Sequence, residues 1–550
     1  MTATPTAHRP TVGRSAGLGG TPTAGTGALL KFGLLRERIP MAGWSYGIAI
    51  TAFATIAAFA TLYPDPVSRA DFARRLGIQP AFAVLTGKIF ASSLGGLTAW
   101  RITLLGGVLA GLMSLFTVIR RTRTDEEAGR TELLVSAAIG RAAPLLAGIG
   151  CAVIGCLVIG VLVTGILGFE GESLTGSIAL GLTIAGSGLM FAGIAAVAAQ
   201  LFDGARAALG ISGLVLGVSF AIRAIADAGG DGTAWLRWLS PLGWAENVEA
   251  FAANRFAVIG LMLLTTMALI AAALRLLGRR DVGLGMFPAR LGVADGSIGS
   301  ALGLANRLQL PSAIGWSVSL AAFGAVTGGI IDSAKSLFAD NKQMSDILAK
   351  IGGKGVITNA VLGGLVGLCA ILAAIAAVSA AGRMVTEEQT ERAALVLAAP
   401  VSRSRWQAGH VLFVLLVPAV VMALAGLTCG VLHGIRSHDL GGGFGDSMRA
   451  TVAQIPACWV IGSVAVVVHA FAPRLWGTSW IVLVIAVLLA QLGPILQLPQ
   501  LLIDLSPFPH VATVATSGVP WRAEWLLTAI TAMLLALGFA GFRRRGLSSR

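Results

Sequence analysis

Two short charged segments stand out because long apolar runs enclose each of them. Residues 124–141 read TDEEAGRTELLVSAAIGR, and residues 386–403, which lie 262 positions later, read TEEQTERAALVLAAPVSR. Both contain a threonine, neighbouring acids, an arginine, an apolar triplet and a closing arginine. Charged groups that recur in register in an otherwise apolar chain indicate a surface that a partner contacts twice.

Each segment is predicted to form a short helix. Its acids would lie at the positive N-terminal end, with an arginine about one turn further on. The apolar triplet would add a ridge suited to a groove on a soluble partner. The alternative is a solvated loop that only follows the charge bias of membrane proteins, and the repeat favours docking. The candidate residues are Asp125, Glu126, Glu127, Arg130, Leu133, Leu134 and Arg141, and in the second copy Glu387, Glu388, Arg392, Leu395, Leu397, Pro400 and Arg403.

The composition shows what kind of chain carries these segments. It is 55% hydrophobic and only 12% charged, and its mean hydropathy is +0.82, which is far too apolar for a soluble protein. A bilayer-spanning helix needs roughly 20 apolar residues. We predict an all-α polytopic membrane protein with twelve spans, near 42–63, 97–119, 143–168, 175–200, 207–226, 257–277, 312–332, 355–381, 409–434, 450–471, 477–497 and 524–542.

The net charge of +14 is mainly a signal of topology. Most of the lysines and arginines fall on the side that also holds both termini and both charged segments, and that side is therefore predicted to be cytoplasmic. The sequence shows no patch of basic residues interleaved with aromatic ones that would indicate nucleic-acid binding. The five cysteines all lie in apolar runs, which favours packing over metal or disulfide chemistry.

Three landmarks indicate an internal duplication. The ends of Arg36–Pro40 and Arg307–Pro311 are 271 positions apart, the charged segments 262, and the tripeptides Leu-Ser-Pro at 239–241 and 505–507 are 266 apart. Each half has an even number of predicted spans, so the halves form a parallel repeat. We predict a disordered cytoplasmic tail at 1–27, a first half at 28–280, a cytoplasmic linker at 281–305 and a second half at 306–550. Residues 27–40 mix apolar and basic side chains and suit a helix in the membrane interface.

The charged segments resemble the corresponding loop of the permease subunits of ABC-2 type exporters. The second copy keeps Ala399-Pro-Val-Ser-Arg403, whereas the first has Ala138 for proline and Gly140 for serine. The fused two-half form is similar to actinobacterial exporter permeases for tetronasin transport and multidrug efflux. The resemblance implies that both segments are coupling helices engaged by two copies of an ATPase subunit.

The same resemblance assigns the Leu-Ser-Pro tripeptides to half-helices that fold back to cap the pathway. The outer-gate candidates are therefore Leu239, Pro241, Leu505 and Pro507, with an ordinary interfacial belt as the alternative. Because the span centres hold almost no ionisable residue, the substrate path is expected to be apolar. Its candidates are Met113, Phe116, Phe220 and Trp480.

The sequence lacks the Gly-x-x-x-x-Gly-Lys-Ser/Thr loop that cradles phosphates. We therefore expect no enzyme activity, catalytic residue or metal site on this chain, with ATP and magnesium on the partner ATPase. The predicted function is the permease of an ATP-driven exporter of amphiphilic or hydrophobic drugs. The alternatives are a drug/proton antiporter, for which the sequence shows no buried carboxylate, an ABC permease for lipid-like substrates, and a membrane-embedded enzyme or assembly scaffold.

Overall fold

A computed structural model shows how the chain folds. It describes residues 21–77, 83–84, 86–130, 139–228, 230–280, 285–287, 299–339, 354–438, 440–492, 499–511 and 521–546. The described residues are almost entirely helical. The chain divides into a first unit, Met1–Leu291, and a second unit, Gly292–Arg550.

The described residues of the first unit form a series of α-helices. They are α1 (Thr26–Leu62), α2 (Pro66–Gly77), α3 (Leu94–Ile119), α4 (Ala143–Phe169), α5 (Leu174–Leu201), α6 (Ala205–Ala228), α7 (Pro241–Asn247) and α8 (Phe256–Arg279). A π-helical turn, Arg120–Thr124, and one further turn, Asp125–Glu127, extend α3, and a 3-10 helix, Gly230–Leu239, precedes α7.

The second unit continues the helical architecture. Its helices are α9 (Ala301–Ala339), α10 (Lys354–Gln389), α11 (Arg392–Ala398), α12 (Arg403–Ser437), α13 (Leu440–Val452), α14 (Ile455–Phe471), α15 (Gly477–Leu492), α16 (Gln500–Ile503) and α17 (Trp521–Arg544).

The prediction of a polytopic all-α membrane protein is confirmed. Among the described residues, eleven helices are long and apolar enough to cross a membrane. The predicted span at 477–497 begins with α15, which is 16 residues long, and residues 493–497 lie outside the described part of the chain. A helix of that length measures about 24 Å, less than the hydrocarbon thickness of about 30 Å.

Small residues bring the helices of each unit close together. In the first unit, a Cβ atom on Gly160 of α4 would lie 3.1 Å from the Gly181 carbonyl oxygen of α5. In the second, a Cβ on Gly328 of α9 would lie 2.3 Å from the Cys429 carbonyl oxygen of α12. Glycine at these positions allows the backbone contact that stabilises helices in a lipid environment. Buried aliphatic clusters complete the core of each unit.

Both units begin with a helix longer than the predicted span. Helix α1 includes residues 27–40 and continues through Pro40 without a break, and α9 likewise continues through Pro311. Residues 21–27 were predicted to belong to a disordered tail. In the structure, the Ala24 and Pro22 carbonyl groups accept hydrogen bonds of 2.9 Å from the backbone of Gly140 and Ala142.

Candidate functional site

The acids of the two charged segments do not begin the short helices, which differs from the sequence-based expectation. Asp125, Glu126 and Glu127 lie in the turn that extends α3, and Glu387 and Glu388 lie in the last turns of α10. Nothing in either acidic stretch terminates a helix, so the preceding span continues through it. The short helix of the second copy begins only at Arg392, after Glu391 has adopted a left-handed backbone with φ of 60°.

Glu126 is the centre of an ionic cluster in the first unit. Its two oxygens accept a bidentate pair of hydrogen bonds, 2.8 and 3.1 Å, from Arg280 just beyond α8. Arg123 adds a third at 3.0 Å. Gln200 of α5 accepts from Arg280 Nε at 2.7 Å, and the Arg280 carbonyl oxygen accepts from Arg141. The start of the first segment, its closing arginine and the end of α8 are thus joined.

Glu388 organises the same arrangement in the second unit. It accepts a hydrogen bond of 2.8 Å from Arg545, just beyond α17, and lies 3.0 Å from His469 Nε2 at the end of α14. The Arg545 carbonyl oxygen accepts from Arg403. Glu388 therefore corresponds to Glu126, and Arg545 to Arg280. We call each set, Glu126–Arg280–Arg141 and Glu388–Arg545–Arg403, a carboxylate clamp.

The remaining acids also contact this chain. Asp125 accepts a hydrogen bond of 2.6 Å from Arg130, and Glu387 Oε1 lies 3.2 Å from Arg383 Nη2. Glu127 Oε1 accepts a hydrogen bond of 2.7 Å from the backbone NH of Ala205, the first residue of α6. A carboxylate in that position satisfies an otherwise unpaired NH group and interacts favourably with the helix dipole.

A smaller set of the candidate docking residues is available to a partner. Arg130 and Arg392 have side chains that are 52% and 60% exposed, and Leu395 on α11 is 77% exposed. Leu397 is partly buried against the core of the second unit. Pro400 is exposed and precedes α12, which begins at Arg403 and is capped by Ser402. Leu133 and Leu134 lie outside the described residues.

The Leu-Ser-Pro tripeptides are built alike in both units. In the first unit, the Ser240 hydroxyl donates a hydrogen bond of 2.6 Å to the Ser219 carbonyl oxygen of α6. In the second, the Ser506 hydroxyl donates a hydrogen bond of 2.8 Å to the Ala486 carbonyl oxygen of α15. Leu239 and Leu505 are exposed. Pro241 begins the seven-residue helix α7, whereas Pro507 is buried and begins no helix among the described residues. A short helix thus follows the tripeptide in the first unit, and the outer-gate role of both tripeptides stays a prediction.

Sequence reasoning missed a buried ionic cluster beside α7. Arg223 donates a hydrogen bond of 3.2 Å to Asp227 and one of 3.0 Å to Glu246. Arg237 donates a hydrogen bond of 2.6 Å to Asp227. Burial raises the pKa of the Glu246 carboxyl group above its usual range, and the Arg223 guanidinium opposes this rise. The spacing of four between Arg223 and Asp227 was the one signal in the sequence. The expectation that no carboxylate is buried was wrong.

Glu246 also borders a cleft of the first unit. Lys88, Trp100, Thr103 and Glu249 line the cleft as well. Its lining mixes these polar side chains with apolar ones, among them Phe90 and Ala245, and the apolar substrate path stays a prediction.

The structure places the candidate path residues in different settings. Met113 is buried and packs against Gly155 of α4, where an added Cβ atom would lie 2.8 Å from the Met113 methyl carbon. Phe116 stacks on Trp44 with centroids 6.5 Å apart. Phe220 lies under the Arg223 guanidinium, 4.8 Å from it, and Trp480 is 37% exposed. Their role in transport stays a prediction.

Two comparisons with known proteins bear on the whole chain. A family model described as "Multidrug efflux system permease Rv1217c, C-terminal domain" matches residues 298–543. The chain is also 36% identical over 532 residues to the multidrug efflux system permease protein Rv1217c of Mycobacterium tuberculosis, and the match covers 96% of each chain.

Proposed function

The chain belongs to the multidrug efflux permease family, and from this we propose that it is the membrane subunit of a drug exporter driven by a separate ATPase. Two copies of that ATPase would contact the two charged segments from the cytoplasm. ATP and magnesium would bind on the ATPase. The cargo would be an amphiphilic or hydrophobic drug.

The carboxylate clamp in both units is the observation that carries this proposal. A loop that only follows the charge bias of membrane proteins needs no defined geometry. Here each segment is joined by charge-assisted hydrogen bonds to the arginine that follows the last helix of its unit. Such bonds are short, directional and roughly twice as strong as neutral ones. A force applied to either segment would therefore reach α8 or α17 without loss to a flexible loop.

The clamp also supports a proposal for the roles of individual residues. Glu126 and Glu388 would position the segments, because both carboxylates are occupied by arginines of this chain. Arg130, Arg392 and Leu395 would contact the ATPase, since their side chains are exposed. ATP binding would draw the two ATPase subunits together, and the paired segments would move with them. That movement would open the pathway to the outside.

A proton-driven antiporter is the second candidate, and one observation favours it. Such transporters use a buried carboxylate to carry protons, and both Asp227 and Glu246 are buried. In this chain, however, two arginines pair with them. A carboxylate held between guanidinium groups is suited to bracing α7, so we favour the ATP-driven mechanism.

The test uses Leu395→Asp and Arg392→Glu. We expect each variant to reduce copurification of the ATPase at least tenfold and to abolish drug export from cells, because a charge or a reversed charge is placed on the docking helix. Leu501→Asp is the matched control. Leu501 is 84% exposed and lies on α16, at the end predicted to face outward, so this variant should bind and export normally.

Two results would contradict the proposal. One is normal ATPase binding by both α11 variants. The other is export by the purified chain alone in vesicles with a proton gradient and no ATP, which would establish the antiporter instead.

A further inference from the structure

The first turns of α1 present a two-sided surface. Helical positions advance by about 100° per residue, and the exposed residues between positions 31 and 39 fall on one continuous arc. Its centre is apolar, with Phe32 and Leu35 each 57% exposed and Ile39 74% exposed. Lys31 and Arg38 lie at one edge of the arc and Arg36 at the other, and all three are exposed.

The opposite side of these turns is fixed to the rest of the unit. A Cβ on Gly33 would lie 2.8 Å from Cys151 Sγ of α4, so the two helices are in close contact. Glu37 is 1% exposed. Its carboxylate accepts two hydrogen bonds from Arg121, of 2.6 and 2.8 Å, and one of 3.1 Å from Arg120. Both arginines lie in the π-helical turn that leads to the first charged segment.

The length of α1 places this surface at the edge of a membrane. Its 37 residues extend for about 55 Å, whereas a bilayer with its headgroups is about 40–45 Å thick. The apolar stretch from Met41 onward fills the hydrocarbon region. Residues 27–40, about 21 Å of helix, then cross the headgroup layer and extend beyond it, and an apolar stripe bordered by basic side chains is a pattern that binds anionic membrane surfaces.

We propose that the exposed face of residues 27–40 binds the headgroups of anionic phospholipids, and that bound lipid stabilises the first charged segment through Glu37. The basic edges complement the phosphate charge, and the apolar centre contacts the upper acyl chains. Lipid would hold this end of α1 against the unit, and Glu37 would hold Arg121. Arg121 in turn lies 3.9 Å from Asp125 in the segment. The proposal concerns the chain alone and does not depend on the ATPase.

The second unit offers an internal comparison. Counting from Pro40 and Pro311, Lys31 corresponds to Leu302, Arg38 to Gln309, and Glu37 to Leu308. Only Arg307, the counterpart of Arg36, retains a positive charge. The start of α9 therefore keeps one basic edge but lacks the other edge and the buried acid, and we expect lipid charge to affect the first segment but not the second.

Lipid binding is tested by native mass spectrometry of the purified chain in detergent, titrated with phosphatidylglycerol or phosphatidylcholine. We expect tighter binding of phosphatidylglycerol by wild type. The variant K31Q/R36Q/R38Q should bind it about a hundredfold more weakly, because each basic residue near an anionic surface contributes roughly fivefold. The control R74Q/R75Q/R522Q loses three exposed charges at the predicted outer end and should bind as wild type does. Equal affinity for the two lipids, or no difference between the triple variants, would overturn the site.

Transmission is tested by hydrogen exchange. Phosphatidylglycerol should slow amide exchange in residues 120–130 severalfold and leave residues 386–398 unchanged. Glu37→Gln should still bind the lipid but lose the slowing, because the neutral amide no longer holds Arg121. Slowing that persists in Glu37→Gln, or equal slowing of both segments, would overturn the role of Glu37.

Discussion

The two units treat their Leu-Ser-Pro elements differently. In the first unit, Arg223, Asp227, Arg237 and Glu246 form a buried cluster that joins α6, the 3-10 helix and α7. At the same distances from the second tripeptide the sequence has Leu489, Gly493, Ile503 and Ala512. The serine hydrogen bond is common to both. The element of the first unit is therefore braced by buried ion pairs, whereas the described residues around the second tripeptide are joined by apolar contacts and by hydrogen bonds such as that from Gln454 to the Val511 carbonyl oxygen.

The opposite end of each unit gives the contrary result. The carboxylate clamp recurs with the same residue types in the same roles. The neighbouring side chains differ, because Gln200 accepts a hydrogen bond from Arg280 in the first unit and His469 contacts Glu388 in the second. The units thus share the geometry at the predicted ATPase-facing end and differ at the predicted outer end. This division fits a permease whose two halves receive the same input but contribute unequally to the pathway.

The largest effect is expected from Arg223→Met. It leaves Asp227 and Glu246 with Arg237 alone, and breaking a buried ion pair costs about 3–5 kcal/mol. Leu489→Met, the same new side chain at the corresponding place in the second unit, should cost less than about 1.5 kcal/mol. The free energy of unfolding in mixed micelles measures both. Comparable losses would show that the charge cluster does not brace the first unit.

An intermediate effect is expected from replacing the clamp acids. Glu126→Ala leaves Arg123 and Arg280 buried and charged, and arginine cannot relieve the cost by losing a proton. We expect a loss of about 3 kcal/mol. Glu388→Ala leaves Arg545 and a histidine that can be neutral, so we expect about half that loss. Unfolding at pH 8 measures the difference, and a greater loss in Glu388→Ala would reverse the ranking.

The smallest effect is expected at the next position. Glu127→Ala removes the cap of α6 and should cost about 1 kcal/mol. The corresponding Gln389 is exposed, and Gln389→Ala should change stability by less than about 0.5 kcal/mol. The same unfolding measurement applies, with added salt reducing the effect of Glu127→Ala because the charge interaction with the helix end is screened. A cost for Gln389→Ala equal to that for Glu127→Ala would remove this asymmetry.

Much of the architecture could be predicted because apolar length determines membrane-spanning helices. The span from Ala143 to Phe169 was expected at 143–168 and that from Leu174 to Leu201 at 175–200. The partners of the clamp acids could not be predicted, since Arg280 and Arg545 lie 154 and 157 positions from them. No local pattern pairs residues at such separations.

The cluster around Glu246 was hidden for a related reason. In the sequence, Arg223 lies near the end of the predicted span 207–226, and Glu246 lies in the stretch that follows that span. Their pairing depends on the turn that brings α7 back against α6, which sequence spacing does not encode. The helix ends near the acids were also misjudged, because helices α3 and α10 gain ion pairs there and continue further than the apolar runs do.

Gly140 shows how the first segment depends on residues far ahead of it. A Cβ atom there would lie 2.2 Å from the Pro22 carbonyl oxygen, so the serine of the second copy, Ser402, has no room at this position. The practical consequence concerns tags and protease sites. A fusion joined ahead of residue 21 leaves the backbone hydrogen bonds of Pro22 and Ala24 in place. Removal of the chain through Gly25 would delete both of these hydrogen bonds to the end of the first segment and leave the second segment unchanged.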